Sequence, residues 1–174
     1  MIDEREKTVL EALGALGIEY ERFSHPAAAT MEECEAVAAL AGAKHCKNIF
    51  LTNKRKTVFY LALIGAEKRF RTSLISKQLG VPRLSFADEG LLFEKLGLLP
   101  GAITVTGLLN DAEHAVRVAV DRDILKNERM LIHPNVNTAS LCVRTEDVLR
   151  FLEALGYEPE TIEVSDPGQG GETE

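Results

Sequence analysis

Cysteine is scarce in this 174-residue chain: Cys34, Cys46 and Cys142 are the only three. An odd number without Cys-x-x-Cys spacing excludes a disulfide framework or a zinc ribbon and leaves three reduced, mostly buried thiols. No apolar run approaches the roughly 20 residues that cross a bilayer, so no membrane association is expected. Met1 to Lys7 carry charges of both signs and lack the apolar stretch of a signal peptide, which makes a cytoplasmic protein the expectation. No strand-like segment is followed by Gly-x-Gly-x-x-Gly or a P-loop, which argues against a dinucleotide or nucleoside triphosphate site. The four histidines, His25, His45, His114 and His133, show no metal-ligand spacing, so no metal and no cofactor is expected. Repeats and long linkers are also missing. Length and a 45% hydrophobic fraction fit one domain with a single core over residues 1–164, followed by a flexible, acidic, Gly-rich tail over 165–174.

What is present begins with an uneven charge. The chain carries −7, yet Lys44 to Arg83 hold ten basic residues and one acidic residue, Glu67, a local +9 against −16 elsewhere. Such asymmetry suggests a basic face on an acidic body, able to hold a polyanion. Solvated charges scattered over several surfaces are the plainer alternative.

Hydrophobic spacing predicts a helix over residues 3–16 stopped by Gly17, a short strand at Glu19 to Phe23, and a helix from Thr30 to about Leu40. Thr30 with Glu33 makes a capping-box pattern. Cys46 to Thr52 and Thr57 to Leu63 read as a hairpin around Asn53-Lys54-Arg55-Lys56. Ser73 to Leu79 is a short helix, Leu84 to Phe86 a brief strand, and Asp88 opens a helix to about Leu96. Ala102 to Thr106 and Ala115 to Val120 look like paired strands. Met130 to His133 and Thr138 to Val143 are strands around a turn, Thr145 caps a last helix, and Pro159 to Val164 adds an edge strand. The expected class is α/β of the α+β type, a mixed and largely antiparallel sheet surrounded by helices.

Three features could carry chemistry. Lys47 interrupts an apolar strand, where alternation puts it with Ile49 and Leu51 on one face and Cys46, Asn48 and Phe50 on the other. A lysine so placed needs a partner or a cavity mouth, where its head could hold a phosphate. It could instead snorkel from the strand end. His133-Pro134-Asn135 ends a strand, where it could project polar groups into a cleft or simply turn the chain. Gly97-Leu98-Leu99-Pro100-Gly101 allows close backbone approach to a ligand, or only connects a helix to a strand. A Cys–His pair, such as Cys46 or Cys142 with His133, has no local mark of activation.

These segments occur in a specific order. Tyr20-Glu21-Arg22-Phe23-Ser24-His25-Pro26, Thr30 opening a helix, Cys46-Lys47-Asn48-Ile49-Phe50-Leu51 and Lys77-Gln78-Leu79-Gly80 come first. Arg83-Leu84-Ser85-Phe86-Ala87, Gly97 to Gly101, Thr106-Gly107-Leu108-Leu109-Asn110-Asp111, and His133-Pro134-Asn135 with Thr138-Ala139-Ser140 follow. Together they resemble the YbaK/prolyl-tRNA synthetase editing-domain family over about residues 5–164, nearest its free-standing alanyl-tRNA(Pro) deacylase branch. The resemblance implies a barrel-like mixed sheet and hydrolysis of the ester between a wrong amino acid and the tRNA 3′ ribose. It implies that Lys47 is the essential lysine at the terminal adenosine or its phosphate, with Asn48 beside it. Gly97 and Pro100 belong to the loop that handles the substrate end, and His133 to the pocket wall. Thr30 and Met31 line the pocket, and Gly101, Thr106, Asn135 and Ser140 are further substrate contacts. Many relatives carry Pro-Phe before the Gly-Leu of the later loop; here it is Val105-Thr106, a change in the site's shape or polarity. Lys54, Arg55, Lys56, Arg69 and Arg71 are assigned to the tRNA backbone. The implied partners are mischarged tRNA(Pro) and, as a candidate, prolyl-tRNA synthetase.

An activated ester needs a placed water and a held carbonyl more than a strong nucleophile. A small pocket would admit alanine and exclude the larger proline ring. The alternatives are a cysteinyl-tRNA(Pro) deacylase, a non-catalytic module binding aminoacyl-tRNA or a synthetase, and an unrelated thiol hydrolase.

Overall fold

Alternating apolar residues from Cys46 to Gly65 fix the centre of the fold. In the computed structural model, which describes residues 1–27 and 31–164, they form β2 (Cys46–Asn53) and β3 (Phe59–Gly65), paired antiparallel with Cys46 opposite Gly65 and Thr52 opposite Phe59. Asn53 closes the turn: its side-chain oxygen accepts from the amides of Thr57 at 2.8 Å and Val58 at 3.0 Å. β4 (Leu84–Phe86) adds antiparallel to β2. On the other side β5 (Val116–Asp121) runs parallel to β3, and β8 (Glu160–Ile162) parallel to β5. The five-stranded order is β4-β2-β3-β5-β8.

A second, antiparallel sheet has the order β1-β7-β6, from β1 (Glu21–Ser24), β6 (Arg129–Ile132) and β7 (Ala139–Arg144). One parallel bridge, Lys44 to Met130, joins the two sheets. The result is the expected mixed α+β arrangement, an open curve of strands rather than a closed barrel.

The concave side holds the main core. Cys46, Phe50, Leu61, Leu63 and Val118 of the large sheet meet Met130, Ile132, Leu141 and Val143 of the small one. Helices α1 (Glu4–Ala15), α4 (Glu89–Leu96) and α5 (Thr145–Ala154) cover this core through Val9 and Leu13, Leu92 and Leu96, and Val148, Phe151 and Leu152. Each such side chain contributes about 1.5–3 kcal/mol on burial. On the reverse side, α3 (Thr72–Leu79) packs Ile75 over Ile49, Leu51, Tyr60, Ala62 and Ile64. There α2 (Met31–Ala41) packs Ala38 over Leu131 and Cys142. The alternation expected along β2 therefore divides its residues between two cores.

Two expected elements differ. Residues 102–106 are not a strand; they lead into a 3-10 helix, Val105–Asn110, and the partners of β5 are β3 and β8. The cause is tertiary: the Thr104 and Thr106 hydroxyls both donate to the distant His133 carbonyl, at 2.9 and 2.7 Å, and Gly107 N donates to Thr104 O. Thr145 does not cap α5. Arg144 holds the cap position, and the buried Thr145 hydroxyl has no hydrogen-bond partner among the described residues. The 165–174 segment lies outside the described residues.

Candidate functional site

The Lys44–Met130 bridge carries strand alternation from one sheet to the other. With Met130 and Ile132 facing the main core, Leu131 and His133 face the reverse side; with Cys46 in the main core, His45 and Lys47 do the same. Ser140 shares that face through its neighbour-but-one Cys142, which packs with Leu131. The reverse faces of the two bridged sheets thus carry His45 and Lys47 on the large one and Ser140 on the small one, with His133 just after β6 and His25 just after β1.

His25 is held there because its amide donates to Thr138 O at 3.0 Å, prolonging the β1–β7 ladder. Its Nδ1 lies 3.1 Å from Pro26 O and its Nε2 2.8 Å from Ser140 Oγ. Donation from Nδ1–H to the Pro26 carbonyl leaves Nε2 to accept the Ser140 hydroxyl proton. His133 is set similarly: Nδ1–H donates to Ala139 O at 3.1 Å, and its ring lies edge-on to His25 at 6.2 Å. Burial pulls the His133 pKa below its ordinary value; the bond to Ala139 opposes this, and neighbouring His25 adds to it. His45 is lowered as well, by burial first and by His133 second. His133 and His45 are therefore both biased toward the neutral imidazole.

Behind His133, Thr106 is fully buried and lies 2.7 Å from Asn135 Oδ1 as well as from the His133 carbonyl. Asn135 is buried with φ 61°, a left-handed conformation that asparagine tolerates better than most residues. Thr106 and Asn135 thus brace the backbone of His133.

The loop at residues 97–101 follows α4. Gly97 has φ 63°, and a Cβ there would meet Asn110 Nδ2 at 2.9 Å, the nitrogen that donates to Leu96 O. Only glycine fits that closure. Gly101 lies beside Asn137 of the β6–β7 connection, and Pro100 is exposed. Loop and histidine segment are therefore neighbours.

Lys47 has a backbone partner. Its Nζ donates to Lys68 O at 2.6 Å and lies 5.9 Å from the centre of the Phe70 ring. Lys68 is itself pinned, its buried ammonium 2.9 Å from Asp121 and 2.6 Å from Asp123. Burial opposes the charge on Lys68, but bonds to Asp123 and Asp121 outweigh it and raise the pKa. Asn48 points to the opposite face from Lys47, with Nδ2 4.0 Å from Cys46 Sγ. Thr30 and the Met31 side chain lie outside the described residues.

The basic window is split. Lys54, Arg55 and Lys56 are exposed at the β2–β3 turn, where Lys56 is 3.8 Å from Asp88. Arg69 and Arg71 are exposed at the other end of the hairpin, beside Lys47, roughly 20 Å away at 3.3 Å per residue. Lys68 belongs to the interior. The thiols offer little: burial pushes Cys46 up to about 12, and Cys142 donates to Ala41 O. Among the described residues, no group of three or more His, Cys, Asp or Glu could hold a metal ion. No helix among them is long and apolar enough to cross a membrane.

The His25–Ser140 pair was absent from the sequence expectations because its members stand 115 residues apart. The available signal was the Ser-His-Pro break at the end of β1.

Residues 25–151 match the model of the aminoacyl-tRNA editing domain family. The chain is 35% identical over 154 residues to the prolyl-tRNA synthetase associated domain-containing protein 1 of Mus musculus, covering 86% of this chain and 90% of that one. It is 28% identical over 161 residues to the prolyl-tRNA editing protein ProX of Acetoanaerobium sticklandii, covering 92% and 98%. A crystal structure described as that of a candidate trans-editing enzyme for prolyl-tRNA synthetase superposes with a TM-score of 0.72. It covers 95% of this chain and 99% of that one at 15% identity, which establishes the shared fold.

Proposed function

Because the chain belongs to the aminoacyl-tRNA editing domain family, we propose that residues 1–164 form a deacylase that hydrolyses mischarged tRNA(Pro), with alanyl-tRNA(Pro) as its substrate. The observation that carries this reading is the cluster of His25, Ser140 and His133, joined through the Lys44–Met130 bridge to the strand of Lys47 and flanked by the Gly97–Gly101 loop. The names of the relatives, prolyl-tRNA editing among them, supply the tRNA.

In this mechanism the Lys47 ammonium leaves the Lys68 carbonyl for a phosphate or ribose oxygen of the terminal adenosine, a gain because charge-assisted bonds to anions are the stronger ones. Backbone N–H groups of the 97–101 loop other than those of Gly97, which donates to Phe93 O, and Pro100, which has none, polarise the ester carbonyl and receive the developing oxyanion. A water attacks the carbonyl carbon, the bond to the ribose oxygen breaks, and that oxygen takes up a proton. The Ser140 oxygen, its hydroxyl proton held by His25 Nε2, accepts from the water and orients it along with a ribose hydroxyl. Thr106 and Asn135 act indirectly, by fixing His133 in the wall of the amino-acid pocket. A small pocket rejects proline by steric overlap and admits alanine.

The test is deacylation of alanyl-, cysteinyl- and prolyl-tRNA(Pro) side by side. Alanyl-tRNA(Pro) is hydrolysed fastest and prolyl-tRNA(Pro) is spared; Lys47→Ala lowers kcat/KM at least about 100-fold, in line with loss of a transition-state contact. No turnover of any substrate by the wild type refutes the enzyme, and binding without turnover makes it a tRNA-binding module. Preference for cysteinyl-tRNA(Pro) moves the substrate to that branch.

A further inference from the structure

Phe86 is out of place for an apolar residue. It ends β4, opposite Leu51 of β2, and so belongs to the reverse face that carries Ile49, Leu51 and Lys47. Yet it is 62% exposed, because β4 is the edge strand and no element covers its ring among the described residues. Its neighbour is Phe70, with ring centres 5.8 Å apart and planes inclined at 60°. On the other side of Phe70 stands Lys47, its ammonium 5.9 Å from the ring centre. Lys47, Phe70 and Phe86 make a row leading from the candidate site to the sheet edge.

The surroundings of this row are cationic. Arg69 and Arg71 flank Phe70 in the chain, Arg83 precedes β4, and all three are exposed. The nearest acid after the strand, Asp88, faces Lys56 at 3.8 Å. Exposed aromatic rings set among cations are the chemistry that binds single-stranded nucleic acid: the rings stack on bases whatever their identity, and the cations follow the phosphates. Inside a duplex each base face is already covered by its stacked neighbours.

We propose that Phe86, backed by Phe70, is a stacking platform for an unpaired base of the single-stranded 3′ segment of tRNA, one or more nucleotides before the terminal adenosine at Lys47. This rests on the deacylase reading for the identity of the strand. It adds a binding site that engages the nucleic acid rather than the amino acid. Stacking on Phe86 aligns the strand so that its final phosphate reaches Lys47.

The chain contains no tryptophan, so Phe86→Trp introduces a single indole at the platform. Titration with an unacylated single-stranded RNA ending in C-C-A quenches its fluorescence saturably and less at high salt, while the same sequence placed in the middle of a longer duplex quenches far less. In a second measurement, Phe86→Ala raises KM for alanyl-tRNA(Pro) about tenfold, the loss of one stacked base, with kcat within twofold. No quenching, equal quenching by the duplex, or an unchanged KM overturns the platform; so does loss of binding to prolyl-tRNA synthetase with RNA binding intact. If the wild type hydrolyses nothing, the deacylase reading fails by itself, and the quenching measurement alone decides the platform.

Discussion

Neutral histidines make the site sensitive to acid. His133 is held below the ordinary histidine value of 6.5, first by burial. Below that value the unfolded chain binds a proton that the folded chain resists, so this group's stability is fully present above pH 6.5 and is lost as pH falls through the folded pKa. Protonation also sets a cation against His25 and His45. The deacylation rate is therefore expected to fall on the acid side with a midpoint below 6.5, and His133→Gln removes that limb. A pH–kcat/KM profile of both proteins checks it; an unchanged limb in the variant assigns the titration elsewhere. At this scale the sequence was partly readable. Lys47 announced itself because a lysine within an apolar strand needs an explanation. The partners of Lys47 and His25, Lys68 O and Ser140 Oγ, are set by tertiary approach and leave no local pattern.

At the scale of elements, legibility followed the range of the forces. The β2–β3 hairpin and α4 are local: an alternating pattern around a turn, and Asp88 accepting from Leu91 N at 2.8 Å. Ala102 to Thr106 misleads because β-branched residues in a buried run fit a strand, whereas here two threonine hydroxyls are spent on one carbonyl. The parallel partners of β5 are invisible locally, since β3 lies more than fifty residues earlier and β8 about forty later. Thr145 reads as a cap because threonine suits that position, but its hydroxyl is buried without a partner among the described residues. Leaving a hydroxyl unpaired costs about 1–3 kcal/mol. Thr145→Val keeps the shape and removes that cost, so it is expected to leave stability unchanged or raise it by up to about 1 kcal/mol in urea denaturation. A loss of more than about 1 kcal/mol means that the hydroxyl has a partner in solution.

For the whole molecule, net charge is a poor guide to partners, and even the basic window resolves into separate groups. One lies beside Lys47; the other is at the far turn of the hairpin. If both hold phosphates of one acceptor stem, each contact adds roughly 0.9 to the slope of log K against log salt. Arg69→Ala should then reduce the slope by about 1, and the triple change Lys54→Ala, Arg55→Ala, Lys56→Ala by about 2, with Lys56 partly engaged by Asp88. Filter binding over a salt series measures both. An unaltered slope for the triple variant confines the interface to the Lys47 end.

The contact between His25 and Ser140 also carries a kinetic meaning. It closes a loop of 115 residues, and the β1–β7 ladder that supports it joins the chain's beginning to its end. Pairings so distant in sequence are entropically costly and form late. The hairpin and helices are therefore expected to assemble first, with the site completed only when β7 is laid beside β1. During synthesis, a chain still lacking β7 has Lys47 in place but no partner for His25. Recovery of activity on refolding should accordingly trail recovery of helical signal, making the site itself the last reporter of a finished fold.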